Sequence, residues 1–142
     1  MLIGVPKEIK NNEYRVGLVP GSVRELTANG HRVVVQRGAG AGIGFSDKVY
    51  EQAGAGMMDT AAEIFEFSDM IVKVKEPQTQ ECKMLRPDQI LFTYLHLAPD
   101  PEQAKLLQES GCIAITYETV TNRMGGLPLL APISEVAGRM SI

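Results

Sequence analysis

A chain of 142 residues is long enough to bury one ordinary hydrophobic core without disulfide or metal staples, and 44% apolar with 22% charged residues excludes the disordered, fibrous and disulfide-dense classes. Its 14 basic and 17 acidic side chains leave a formal charge of −3 with no run of like charge, which argues against nucleic acid or an anionic membrane surface as a partner. The two cysteines lie in separate segments with no Cys-x-x-Cys or Cys/His cluster, so free thiols in a cytoplasmic protein are expected and no metal site is indicated.

Met1 leads straight into Leu2-Ile3-Gly4-Val5-Pro6, too short for the apolar core of a signal peptide, and the run reads as a first strand over Leu2–Val5. A helix from Ser22 to Asn29, closed by Gly30, precedes a Val-Val-Val-centred strand over Arg32–Gln36. The glycine run after that strand misses the dinucleotide fingerprint. Started at Gly38, Gly40 or Gly42, the last place of Gly-x-Gly-x-x-Gly falls on Ile43, Phe45 or Asp47. A turn that needs positive φ is predicted there instead.

Thr60-Ala61-Ala62-Glu63 has the spacing of a capping box and opens a second helix ahead of a strand over Met70–Val74. A strand over Ile90–Tyr94 follows. Asp100-Pro101-Glu102-Gln103 then opens a helix that stops at Gly111, ahead of a strand over Cys112–Thr116. No apolar stretch approaches the ~20 residues a membrane helix needs. Beyond the Gly/Pro-rich Met124-Gly125-Gly126-Leu127-Pro128, the residues Ser134 to Ile142 begin a helical pattern with no Gly, Asn or Pro stop. The expected organisation is one domain over 1–130, with 131–142 starting a helix that leads into another domain.

Short apolar runs alternating with punctuated helices imply right-handed crossovers and a doubly wound α/β fold, Rossmann-like or flavodoxin-like, with helices on both faces of a buried parallel sheet. Such sheets bind ligands outside the carboxyl ends of their strands. That rule selects Arg15 after the first strand, Lys75 after the Met70 strand, His96 after the Ile90 strand, and Tyr117-Glu118 after the last. Neighbouring strands are ~4.8 Å apart, so these groups can converge on one small molecule.

Taken singly, each has a plain structural alternative. Arg15 can be ion-paired to Glu13 on the surface, and His96, between Leu95 and Leu97, can be a satisfied core histidine. Of Lys73 and Lys75, one should point into a face of the sheet and the other along its end, and either can be a structural lysine. Taken together they form a carboxylate clamp with a proton shuttle. Arginine's planar fork holds a carboxylate at ~1.5–3 kcal/mol net, lysine adds a point charge, and histidine exchanges protons near neutral pH. This suits chemistry at the carbon beside a carboxylate, as in a 2-oxo or 2-amino acid, with a Schiff base at Lys75 as the alternative use of that amine.

The same residues resemble a known family. Gly4-Val5-Pro6-Lys7-Glu8, Asn12-Glu13-Tyr14-Arg15-Val16, Pro20-Gly21-Ser22-Val23, Val72-Lys73-Val74-Lys75-Glu76-Pro77, Tyr94-Leu95-His96-Leu97 and Ala131-Pro132-Ile133-Ser134-Glu135-Val136-Ala137-Gly138-Arg139 are similar to the N-terminal signature shared by alanine dehydrogenases and nicotinamide nucleotide transhydrogenases. Lys75 and the closing Ser134 to Gly138 favour the alanine dehydrogenase branch. The alternatives are the proton-translocating transhydrogenase branch and a non-catalytic ligand-sensing domain of the same fold.

By that resemblance the reaction is the reversible oxidative deamination of L-alanine by NAD to pyruvate, ammonia and NADH. Arg15 and Lys75 would bind the substrate carboxylate and oxo group, His96 would be the catalytic proton donor and acceptor, and Ser134 would contact the NAD. The resemblance also implies a hexamer, a cofactor bound mainly by another domain together with that domain's aspartate, and no turnover by these residues alone. Ile133 departs from the family, which commonly has Met there, a swap that keeps volume and polarity.

Overall fold

The computed structural model describes residues 1–140; of the predicted terminal helix, residues 141–142 lie outside the described residues. The elements run β1 (Leu2–Val5), α1 (Pro20–Ala28), β2 (Arg32–Gln36), α2 (Asp47–Gln52), β3 (Gly56–Met58), α3 (Ala61–Phe67), β4 (Met70–Val72), α4 (Thr79–Cys82), β5 (Ile90–Thr93), α5 (Pro101–Ser110), β6 (Ile113–Thr116) and α6 (Ala131–Met140), with 3-10 turns at Ala41–Ile43 and Tyr117–Thr119. The six strands form one sheet in the order β3-β2-β1-β4-β5-β6, every neighbouring pair parallel. The doubly wound α/β fold is therefore the one expected.

Local chemistry explains most boundaries. Thr60 and Glu63 form the predicted capping box: Thr60 Oγ1 accepts from the Glu63 backbone N–H at 3.2 Å, and Glu63 Oε2 accepts from that of Thr60 at 2.8 Å. Asp100 caps α5 by accepting from the Gln103 backbone N–H at 3.0 Å, and Gly111, at φ 69°, ends it. α1 begins at Pro20, two residues before Ser22, because a proline at the first helical position has φ preset and no N–H to leave unpaired. In the glycine run, Gly38 (φ 72°) and Gly44 (φ 82°) have positive φ, consistent with the predicted turn.

The period-two alternation of the strands sorts their side chains to the two faces. On one face Ile3, Val5, Val33, Val35 and Val72 pack with Val23 of α1 and Tyr50 of α2. On the other, Ile71 and Leu91 pack with Ile64 and Phe65 of α3, Cys82 of α4 and Leu107 of α5. Each fully buried aliphatic or aromatic side chain contributes ~1.5–3 kcal/mol.

Two expectations are corrected. The strand predicted over Cys112–Thr116 starts at Ile113 and is an edge strand, not a buried one, with Ile113 and Ile115 exposed. The strands predicted to reach Val74 and Tyr94 end at Val72 and Thr93. Beyond those ends the backbones still pair, Lys73 N–H donating to the Phe92 carbonyl at 3.1 Å and Tyr94 N–H to that of Val74 at 3.3 Å. Both cysteines are free, as expected. Among the described residues no helix is long and apolar enough to cross a membrane.

Candidate active site

Strand order reverses at β1 and β4, so the chain leaves their carboxyl ends in opposite directions and opens a crevice between the two loops. The loop after β1 lies hard against β4. A Cβ at Gly17 would stand 2.4 Å from the Val72 carbonyl oxygen, so only glycine lets the backbone approach this closely. Two residues upstream, Arg15 is thereby held at the mouth of the crevice.

The Arg15 fork is partly engaged. Its Nε donates to Glu13 Oε1 at 2.8 Å and its Nη2 to Glu13 Oε2 at 2.6 Å, while its backbone N–H donates to Glu13 Oε1 at 2.9 Å. The hydrogen bonds from Arg15 hold the Glu13 carboxyl below its ordinary range, against the upward push of burial, and Lys75 lowers it further. A guanidinium has five N–H donors, so this side-on pair leaves the Nη1 side for a second carboxylate.

The two lysines after β4 divide their roles. Lys73 is fully buried and donates to Glu8 Oε2 at 3.1 Å and Glu81 Oε1 at 2.8 Å. The remaining carboxylate oxygens are also used: Glu8 Oε1 accepts from Val74 N–H at 2.7 Å and Glu81 Oε2 from Gln78 N–H at 2.8 Å. Burial raises the Glu8 carboxyl above its ordinary value despite Lys73 and Val74. Lys75 is half-buried, and among the described residues its ammonium has no ion-pair partner. Its carbonyl is fixed by the Thr93 hydroxyl at 2.8 Å.

His96 is exposed, which removes the core-histidine alternative, and it sits at φ 47°, in the left-handed region. Glu118 Oε1 accepts from the backbone N–H groups of Leu95 at 3.1 Å and His96 at 2.8 Å, and Oε2 accepts from the Thr116 hydroxyl. Burial pushes the Glu118 carboxyl up, but these donors outweigh it and hold the group below its ordinary range. Tyr94 stands edge-on to Tyr117, centroids 4.7 Å apart, and its hydroxyl donates to the Leu129 carbonyl.

Arg15, Lys75 and His96 line one pocket of about 240 Å³. The pocket also contains Tyr94 and Glu118, an ion-paired Lys10 and Glu76, and an apolar wall of Leu130 and Ile133. Arg15, Tyr94 and Ile133 are shared with an adjoining, mostly apolar trough of about 370 Å³. The fourth predicted site residue, Ser134, lies outside this lining. It is exposed on α6, its N–H donating to the Leu130 carbonyl at 3.1 Å. Strand-end position marked Glu118 without a role and did not single out Tyr94.

Residues 4–137 match the family model described as "Alanine dehydrogenase/PNT, N-terminal domain". The chain is 54% identical over 142 residues to an alanine dehydrogenase of Halomonas elongata, covering 100% of this chain and 38% of that protein. A solved L-alanine dehydrogenase superposes with a TM-score of 0.94 at 51% identity, covering 100% of this chain and 39% of the other. A transhydrogenase from Sinorhizobium meliloti gives 0.80 at 29% identity, covering 87% and 35%. The chain thus spans less than two fifths of the length of these relatives, and it is more similar to the two dehydrogenases than to the transhydrogenase.

Proposed function

The chain belongs to the alanine dehydrogenase/PNT N-terminal domain family, and from that premise we propose that it is the substrate-binding part of an NAD-dependent L-alanine dehydrogenase. The proposed reaction converts L-alanine, NAD and water reversibly to pyruvate, ammonia and NADH. The observation that carries the reading is the division between Lys73 and Lys75: one is buried against two carboxylates, whereas the other enters the Arg15 and His96 pocket with no ion-pair partner among the described residues.

Arg15 and Lys75 bind the substrate carboxylate and oxo group, the free side of the fork giving direction and the ammonium giving charge. His96 takes a proton from the water that adds to the imine carbon and returns one to the departing amine, a role an imidazole suits because its two ring nitrogens can accept and donate a proton. A Schiff base at Lys75 is not needed for this sequence of steps. Ile133 forms part of the apolar wall available to the substrate methyl.

The glycine loop is not suited to cradle the cofactor's pyrophosphate. The glycine loop follows β2 and not the reversal point at β1, and it is packed, the Cβ position of Gly40 lying 2.6 Å from the Tyr50 ring. In this proposal the cofactor is held mainly by other residues of the full-length protein, with Ser134 as this chain's contact, and the full-length protein is a cytoplasmic hexamer. These 142 residues alone are expected to give no turnover.

The test is alanine-dependent NADH formation by the full-length protein. His96→Ala is expected to lower kcat by ~10²–10⁴ and Lys75→Ala to raise KM for pyruvate in the reverse direction. Ordinary kinetics in either variant would overturn the role assigned to that residue, and borohydride trapping of a pyruvate adduct would restore the Schiff-base alternative.

A further inference from the structure

His96 is one of three non-glycine residues with positive φ among the described residues, and the only one of the three in the proposed site. A left-handed histidine persists only where its surroundings hold it there, and such strain gathers at functional sites. Its chain neighbours Leu95 and Leu97 anchor the segment by packing into the core, but being apolar they offer no side-chain hydrogen bond to fix the turn between them. The partner comes from 22 residues further on, where one carboxylate oxygen of Glu118 gathers the Leu95 and His96 backbone N–H groups. Its other oxygen is occupied by Thr116. Glu118 itself starts from the end of β6, in register beside β5, so the clamp joins the tails of two paired strands.

We propose that Glu118 is the positioning residue for His96: by binding two consecutive N–H groups after β5 it fixes the left-handed turn that presents the imidazole to the pocket shared with Arg15 and Lys75. The inference rests on the proton-transfer role proposed for His96. Glu118 is not asked to touch the substrate or to move a proton. Both of its oxygens accept hydrogen bonds from the protein, which suits it to holding backbone and not to acid–base work. Without this clamp His96, exposed between its core-packed neighbours, would return to ordinary φ and swing the ring away. Misplacement by about 1 Å is enough to cost on the order of a hundredfold in rate.

The test is a double-mutant cycle in the full-length enzyme, reading kcat and KM for alanine. Glu118→Ala is expected to lower kcat about tenfold to a hundredfold. Because a glutamine carbonyl still accepts from both N–H groups, Glu118→Gln is expected to stay within about threefold of wild type. In a His96→Ala background, Glu118→Ala should change the residual kcat by less than about twofold, since a residue acting through His96 has nothing left to position.

Full additivity of the two losses would overturn the inference, as would an undiminished kcat in Glu118→Ala while His96→Ala is crippled. Ordinary rates in His96→Ala alone would instead overturn the function proposed for the site. If Glu118→Ala does not fold, Glu118→Asp serves, being one methylene too short to reach both N–H groups. It is expected to reproduce the loss of kcat and to speed amide exchange at Leu95 and His96, and unchanged exchange would overturn the clamp.

Discussion

Replacing Lys73 with methionine removes the cation from a cluster whose three side chains are 0%, 2% and 1% exposed. At an effective dielectric near 20, contacts of 3.1 and 2.8 Å each carry about 5–6 kcal/mol of gross attraction, most of it offsetting desolvation. The net loss on breaking such a buried pair is ~3–5 kcal/mol, a large fraction of the ~5–15 kcal/mol that holds a domain folded. The loss should depend on pH.

Glu8 already has a folded pKa above its ordinary 4.5 because it is buried, and Lys73 is the chief influence lowering it. Without the lysine it rises further. A carboxyl raised on folding contributes stability that is complete below its unfolded value and is lost as pH climbs through the folded one. The deficit of Lys73→Met should therefore be smaller at pH 5 than at pH 8. Urea unfolding at several pH values measures it, with a midpoint shift of about 2 M at pH 7 for a slope near 2 kcal/mol/M. A deficit under about 1 kcal/mol at pH 7, or one that grows on acidification, would refute the reasoning.

Gly4→Ala should destabilise by ~1–3 kcal/mol, because its Cβ would lie 2.2 Å from Ser68 Oγ and 2.8 Å from Ile64 Cγ2, forcing α3 off the central strand; an unchanged urea midpoint would show that α3 can shift freely. Arg15→Ala should let the Glu13 carboxyl titrate upward toward its ordinary range, read by NMR of the side-chain carboxyl, since hydrogen bonds from Arg15 chiefly depress it. The stability that Glu13 adds is present above its unfolded pKa and lost as pH falls through the folded one, and the variant should lack this acid-limb loss. Cys82, buried and pushed up to about 11, should resist alkylation at pH 8 until the protein unfolds, whereas Cys112 is partly accessible; mass spectrometry that finds Cys82 modified first would contradict its burial.

The longer elements were legible because their chemistry is local. Val33, Val34 and Val35 announce a strand wherever they are placed, and Thr60 with Glu63 marks a helix start by reach alone. β3 was not legible, since Gly56-Met57-Met58 has no β-branched residue and is a strand only because β2 offers it an edge. The helices α2 and α4, of six and four residues, are too short to display a hydrophobic period. The exposure of β6 follows from its place at the end of the strand order, which its Ile-Ala-Ile sequence does not encode.

In the site, position after a strand was enough to bring Arg15, Lys75 and His96 into one pocket. Alternation required Lys73 and Lys75 to differ without saying which is buried, because that depends on Glu8 and Glu81 arriving from separate elements. The left-handed conformation of His96 was out of reach for the same reason, its cause being a carboxylate from the end of another strand.

Of the six strands, β1 is synthesised before the other five and is one of the two at the middle of the sheet. β1 can pair with β2 once Arg32–Gln36 has emerged, but its other edge waits for β4, with the Leu2 N–H finding Asp69 across 67 residues of chain. Until then the segment that ends in the Arg15 loop has one edge open. Long-range parallel pairing of this kind is slow and exposes nascent chains to aggregation. The crevice between β1 and β4 does not exist before that pairing closes, so the appearance of a ligand-competent pocket marks completion of the central sheet. A pulse of synthesis followed by a binding probe would then report folding order as well as function.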